Sequence, residues 1–166
     1  MRLPTPWREL ESGVCSIART AELIGQPWML LVLRDLFNGV RRFDDLAEHL
    51  SIARNVLSRR LAALVEAGVV QRTDYREPGQ RARQEYRLTP AGWDLRPVLL
   101  AMMAYGDRHL TDPDGPPTLV DHAGCGGAVR VALECEYGHR IEPDTRLTGT
   151  PGPGARWRST SSTATG

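Results

Sequence analysis

The sequence predicts a mainly α-helical domain that carries a small β wing and is followed by a small β-rich appendage. Three observations indicate this fold class: helical periodicity recurs over residues 16–67, two strand-like segments flank a polar turn at residues 77–80, and Gly, Pro, Ser and Thr dominate from residue 149. We therefore divide the chain into an N-terminal arm (1–14), a main domain (15–110), an appendage (111–148) and a disordered tail (149–166).

The first two predicted helices span residues 16–24 and 28–37. Gly25 should stop the first helix. Pro27 suits the first turn of the second, because a proline there forfeits no helical hydrogen bond. The second helix is apolar on nearly every side and should therefore lie at the centre of the domain, and Asn38 and Gly39 should close it.

A short helix over residues 44–50, a turn at Ser51 and Ile52, and a longer helix over residues 53–67 follow. The longer helix has one apolar stripe, which should pack on the preceding helices: Leu57, Leu61, Leu64 and Val65. Its opposite face is small and hydrogen-bonding: Asn55, Ser58, Arg59 and Ala62. Such a face leaves room for a base pair to approach, so the two helices are typical of a helix-turn-helix.

Strands over residues 70–75 and 83–88 complete a wing after these helices. Thr89 and Pro90 then start another helix, as an N-cap followed by proline at the first helical position. Pro97 either kinks this helix or begins a new one. The segment over residues 98–110 carries surplus apolar side chains, and such a helix after a wing usually pairs with its copy in a second subunit.

The formal net charge is only +1, so attraction to a polyanion must come from local clusters of charge. All 21 basic residues are arginine, the side chain suited to bidentate phosphate and guanine contacts. We expect DNA contacts from the exposed helix face, the arginines before the short helix and the wing: Arg41, Arg42, Arg54, Asn55, Ser58, Arg59, Arg76, Arg81 and Arg83.

Within this set, Asn55, Ser58 and Arg59 are expected to reach base edges, and Arg54 to lie near phosphate. The wing arginines are expected on backbone phosphates or in the minor groove. The alternatives are an ordinary solvated helix face and an ordinary charged hairpin.

The absence of lysine excludes a Walker lysine, a Schiff-base amine and a Ser-Lys pair. The four histidines are scattered, and no serine lies in a nucleophile elbow, so we predict that the protein is not an enzyme. No run of about 18 apolar residues and no signal-peptide core occur, which favours a cytoplasmic protein without a membrane partner.

The chain has three cysteines, and this odd number argues against a secreted disulfide framework. Cys15 opens the first helix, where a thiol is either a small buried apolar residue or a candidate redox sensor. A candidate metal site has the form HxxC followed by CxxxH: His122, Cys125, Cys135 and His139. This spacing suits a structural zinc. Gly138 stands where a tighter motif would have cysteine, so a ribbon that folds without metal is the alternative.

A series of short motifs resembles the HxlR-type winged helix-turn-helix regulators over residues 14–110. They are CSIAR (15–19), LIG (23–25), LLVLR (30–34), RRF (41–43), LSRRL (57–61), EAG (66–68) and YRLTPAG (86–92). The resemblance implies a cytoplasmic, homodimeric transcription regulator with one recognition helix per subunit and dimer contacts from the first and last helices. It also implies that some relatives use a cysteine at the place of Cys15 as a redox sensor. Ala53 departs from the Ser or Thr that commonly caps the family's recognition helix, so one capping bond should be missing.

The sequence thus predicts a homodimeric, sequence-specific DNA-binding regulator on a roughly palindromic operator, modulated by a small molecule or a redox signal. The alternative is a winged-helix module that binds proteins instead of DNA. A third hypothesis is a ligand receptor whose pocket lies between the helix after Pro97 and the core.

Overall fold

The computed structural model describes residues 9–76, 83–110 and 112–158. Six α-helices and two antiparallel hairpins lie in these ranges, after a 3-10 turn at Ser12–Val14: α1 (Ser16–Ile24), α2 (Met29–Phe37), α3 (Phe43–His49), α4 (Arg54–Glu66), β1 (Val70–Tyr75), β2 (Arg83–Leu88), α5 (Pro90–Trp93), α6 (Arg96–His109), β3 (Leu133–Glu134) and β4 (Arg140–Ile141). The mainly helical fold with a small wing is as predicted. No helix of the described residues is both long and apolar enough to cross a membrane.

The core is built from α1 to α4 and the start of β1. Leu33 of α2, Leu46 of α3 and three leucines of α4 are completely buried, and Val70 joins them from β1. The predicted apolar stripe of α4 is confirmed at Leu57, Leu61 and Leu64, while Val65 is half-buried. Because full burial of a leucine stabilises a fold by about 1.5–3 kcal/mol, this stripe fixes which face of α4 remains exposed.

The start of α2 differs from the prediction. Trp28 has φ 75°, a left-handed conformation, and so precedes the helix instead of opening it. Pro27 therefore lies outside the first turn of α2, which differs from the prediction that places it in that turn. The end of α2 is as predicted, since Asn38 follows it and Gly39 has φ 85°, which glycine adopts without steric cost.

The turn between α3 and α4 is tight. Ser51 has φ 49°, and the Ile52 amide donates to the Ala47 carbonyl at 3.2 Å. Ala53 is the N-cap of α4 in extended conformation, and its side chain makes no capping hydrogen bond, as expected from the sequence. The helix boundaries differ from the predicted ones by a single residue at each end of α3 and α4.

Two helices follow the wing. The Thr89 side chain caps α5 by accepting a hydrogen bond from the Gly92 amide at 3.2 Å. Pro97 lies in the first turn of α6, so the second of the two alternatives for this proline is correct: a new helix begins.

The chain after α6 is mostly exposed. Its described residues include the β3–β4 pair and an isolated bridge between Asp121 and Ala128. Part of the segment predicted to be disordered is paired: Leu10 and Trp157 form an antiparallel bridge, and the Arg158 amide donates to the Glu9 carbonyl at 2.7 Å. Pairing between backbones far apart in sequence orders residues whose composition alone does not favour order.

Candidate nucleic-acid interface

The outer face of α4 is exposed as predicted. Asn55, Ser58, Arg59 and Ala62 all face solvent, at positions i, i+3, i+4 and i+7 of one helical stripe. The completely buried leucines on the opposite side hold this orientation. The stripe offers an amide, a hydroxyl and a guanidinium, which can donate to or accept from base edges in a major groove.

Arg60 follows Arg59 but has a different role. It is half-buried, its Nη1 donates to the Gln26 side chain, and its Nε is buried without a hydrogen-bond partner. Arg60 therefore ties α4 to the segment before α2. The adjacent arginines of the LSRRL motif thus divide into an exposed cation and a structural one.

Arg54 lies at the N-terminus of α4. Its Nη1 donates to Asp44 Oδ1 at 2.7 Å, and its guanidinium lies 4.8 Å from the ring centroid of Phe43. Both members of the ion pair are well exposed, at 68% and 72% of the side-chain surface. Exposed ion pairs contribute at most about 1 kcal/mol, so a phosphate oxygen can replace the Asp44 carboxylate at small cost.

The wing presents arginines at its outer end. Arg83 is exposed and lies opposite Tyr75 in the β1–β2 register, and Arg76 follows Tyr75 directly. Arg81, the third arginine predicted in the wing, lies in residues 77–82, outside the described residues.

Residues 41 and 42 extend the wing, which the sequence did not indicate. Arg42 forms an antiparallel bridge with Glu85, and the Tyr86 amide donates to the Arg41 carbonyl at 2.8 Å. The Arg42 guanidinium lies 4.7 Å from the ring centroid of Tyr75. The structure thus brings the arginines before α3 to the edge of the wing.

Tyr75 and Glu85 support the interface but were absent from the predicted site residues. Tyr75 provides the ring under Arg42, and Glu85 is buried and paired with the Arg87 guanidinium. The alternation of aromatic and charged residues in β1 and β2 is consistent with these roles. It does not identify the partner strand, because that strand lies about forty residues earlier in the chain.

Cys15 is exposed and stands at the N-cap of α1, so the alternative of a buried apolar residue does not hold for the single chain.

The cysteines and histidines of the appendage form two close pairs: His122 Nδ1 lies 3.2 Å from Cys125 Sγ, and His139 Nδ1 lies 3.5 Å from Cys135 Sγ. Among the described residues, no three His, Cys, Asp or Glu side chains come together in a way that could hold a metal. A structural zinc needs four ligands, so this site stays a prediction that the geometry does not support.

Comparison with known proteins shows where this architecture occurs. The model of the HxlR-like helix-turn-helix family matches residues 23–114. An uncharacterized HTH-type transcriptional regulator of Mycobacterium tuberculosis strain H37Rv, Rv3095, is 42% identical over 147 residues, covering 89% of this chain and 92% of the relative.

Two solved structures are similar over most of their length. The crystal structure of PA1607, described as a candidate transcription factor, has a TM-score of 0.73 at 29% identity and covers 84% of this chain and 97% of that one. PA1374 from Pseudomonas aeruginosa, described in the same way, has a TM-score of 0.57 at 38% identity and covers 84% and 93%. The predicted resemblance is confirmed, and the family consists of regulators, not enzymes. The chain belongs to the HxlR family of winged helix-turn-helix, DNA-binding transcription regulators.

Proposed function

We propose that this protein acts in the cytoplasm as a homodimer that binds a roughly palindromic operator sequence-specifically. In each subunit, α4 enters a major groove and the wing contacts the flanking backbone. One observation carries the proposal: the N-terminus of α4 and the wing are linked by a row of two arginines, each over an aromatic ring. Arg54 lies over the ring of Phe43. Arg42, which precedes Phe43 in the chain, lies over the ring of Tyr75 in the wing.

This row supports DNA binding because both guanidinium groups are held at positions set by packing. An arginine that is ordered before binding loses less rotamer entropy when it meets a phosphate. The exposed α4 stripe lies next to the row, so base-edge donors and phosphate donors belong to one surface. In such an arrangement phosphate contacts set the register and base contacts set the specificity.

The dimer is supported by an exposed apolar face on α6. Val98, Met102 and Tyr105 recur at i, i+4 and i+7 and are 38%, 50% and 63% exposed. Ile17 of α1 is 79% exposed. Apolar side chains on one helical face that water would otherwise cover favour a protein partner, and a two-fold dimer is the commonest one.

We also propose that a redox signal at Cys15 regulates DNA binding. The thiol is exposed, and the other two cysteines lie in the appendage at residues 125 and 135. Residues 16–110 contain no other cysteine, so we propose that oxidation joins Cys15 to a cysteine of a second subunit or to a small thiol. Mild peroxide should release DNA from the protein but not from a Cys15→Ser variant, and equal release from both would reject a sensor at Cys15.

The test of the proposed function is fluorescence anisotropy with DNA from upstream of the protein's own gene and neighbouring genes, compared with an unrelated duplex of equal length. At two salt concentrations, a sequence-specific regulator should prefer one upstream duplex by about 10³-fold or more. A protein-interaction module is the second candidate function. It would show no preference among duplexes, and its partner affinity would not fall steeply with salt.

A further inference from the structure

A cavity of about 750 Å³ lies between α2, α6 and the segment of residues 117–120. Most of its wall is apolar, with Leu30 and Leu31 from α2, Leu99 and Met103 from α6, and Val120 from the segment after α6. Small-molecule sites typically have volumes of about 300–1,000 Å³ and apolar walls with a few polar groups. The size and lining of this cavity are those of a ligand site.

The α2 wall of the cavity contains a buried carboxylate that is already satisfied. The Asp35 side chain is 1% exposed, and its Oδ1 accepts hydrogen bonds from Arg34 Nε and Nη2 at 2.9 and 2.8 Å. His49 Nδ1 lies 2.6 Å from Oδ2 of the same carboxylate. Asp35 therefore neutralises Arg34 and fixes His49 at the cavity wall, and neither oxygen needs a ligand.

Arg96 provides a positive charge without a matching negative one. Its guanidinium lies 4.3 Å from the Trp93 ring and 5.8 Å from the Phe37 ring, and within the described ranges it forms no ion pair with a carboxylate. Asp107, the other acid in the cavity wall, is eleven residues further along α6. At a rise of 1.5 Å per residue their Cα atoms lie about 16 Å apart along α6, which is too far for a direct ion pair between the two side chains.

We propose that this cavity binds an anionic amphiphile, a small molecule with one carboxylate on an elongated apolar body. The carboxylate pairs with Arg96, and the body lies along Leu99 and Met103 toward the Asp107 end. The charge of Arg96 selects an anion, the apolar wall selects a hydrocarbon or aromatic body, and the length between Arg96 and Asp107 admits a chain of about ten carbons.

The cavity also contacts the DNA-binding element. His49 is the last residue of α3, the first helix of the helix-turn-helix, and it is held by Asp35 in the cavity wall. A ligand that fills the cavity therefore contacts both α6 and the end of α3. This consequence, a change in operator affinity, rests on the proposed function, whereas ligand binding itself does not.

The test is isothermal titration calorimetry of the full chain with decanoate and, as an uncharged probe of the same length, decan-1-ol. Decanoate should bind saturably with one molecule per chain, and decan-1-ol at least about tenfold more weakly. Arg96→Gln should weaken decanoate binding by about tenfold or more, and Arg96→Lys should restore most of it. Absence of decanoate binding, or equal binding of both probes, would overturn the proposal.

Matched variants separate the site from general effects. Arg108→Gln removes the same charge from the exposed last turn of α6, outside the cavity wall, and should leave decanoate binding unchanged. Met103→Trp should fill the cavity and abolish decanoate binding while circular dichroism shows a folded protein. If Arg96→Gln and Arg108→Gln behave alike, the carboxylate does not bind at Arg96. If Met103→Trp still binds decanoate, the body lies elsewhere.

A second arm adds decanoate to a preformed DNA complex and measures operator affinity. Because calorimetry contains no DNA, a failure of operator binding leaves the ligand result intact. Decanoate binding with unchanged operator affinity would reject the regulatory consequence alone. If decanoate does not bind because the second copy in the dimer fills the cavity, the ligand site is rejected and the proposed function is not.

Discussion

The ion pair between Asp44 and Arg54 should oppose DNA binding, and removing its acid should strengthen the complex. In the free protein the Arg54 guanidinium donates to Asp44 at 2.7 Å, with both side chains largely in water. An exposed pair contributes up to about 1 kcal/mol. Phosphate must displace the carboxylate when DNA binds, so Asp44→Asn should tighten binding by up to about fivefold, the equivalent of that energy.

The gain should depend on salt and on Arg54. At high ionic strength the Debye length is shorter and exposed charges are screened, so the difference between wild type and Asp44→Asn should shrink. The assay is fluorescence anisotropy on a single operator duplex over a salt series. Stability to urea should change by less than about 1 kcal/mol, because the pair is exposed.

Asp45→Asn is the matched control. Asp45 is an exposed neighbour in the same turn of α3 and makes no ion pair among the described residues, so its variant reports the general effect of one charge. In an Arg54→Gln background, Asp44→Asn should gain no more than Asp45→Asn does. Weaker DNA binding by Asp44→Asn, or an unchanged salt slope in Arg54→Gln, would refute the assignment of Arg54 to phosphate.

Three further predictions concern the framework and the wing. Gly92→Ala should lower the free energy of unfolding by about 3 kcal/mol in urea denaturation, because its Cβ would lie 2.3 Å from the Val69 carbonyl oxygen; a loss under about 1 kcal/mol would show that this packing is loose. Ala53→Ser should raise that free energy by about 1 kcal/mol by supplying the missing cap of α4, and no change in the urea midpoint would contradict this reading. Arg83→Ala should reduce the slope of log affinity against log salt by about one, whereas an unaltered slope would remove Arg83 from the interface.

The features that the sequence could predict are local. The α4 stripe of Leu57, Leu61 and Leu64 has helical period, so its buried face and the exposed face opposite followed directly. Thr89 predicted the cap of α5 for the same reason, since N-cap and helix are neighbours in the chain. Both strands of the wing were also correct, because two short segments that flank a polar turn form a local hairpin.

The features that the sequence did not predict depend on contacts between distant residues. Nothing near Arg42 indicates that it pairs with Glu85, and nothing near Leu10 indicates that it pairs with Trp157. The prediction that Trp28 opens α2 is wrong for a different reason. A left-handed φ in a bulky residue contradicts its local preference and is held by tertiary packing.

The candidate site shows the same division. The exposed stripe of α4 was predicted because its periodicity is local, but the position of Arg54 over the Phe43 ring is a tertiary contact. The position of Arg42 over Tyr75 likewise required the fold. Candidate base-reading residues could be proposed from the sequence, whereas the surface that unites them with the arginines proposed to bind phosphate could not.

The central claim is that the outer stripe of α4 reads bases. The most direct test measures Arg59→Ala and Arg83→Ala by anisotropy against a panel of single-base-pair variants of the operator. Arg59→Ala should make the free energy of operator binding less favourable by about 1–3 kcal/mol and should relax specificity at one base pair of each half-site. Arg83→Ala should weaken binding to every duplex by the same factor. If Arg59→Ala instead lowers affinity equally for every duplex, or not at all, α4 does not read bases through Arg59 and the account is contradicted.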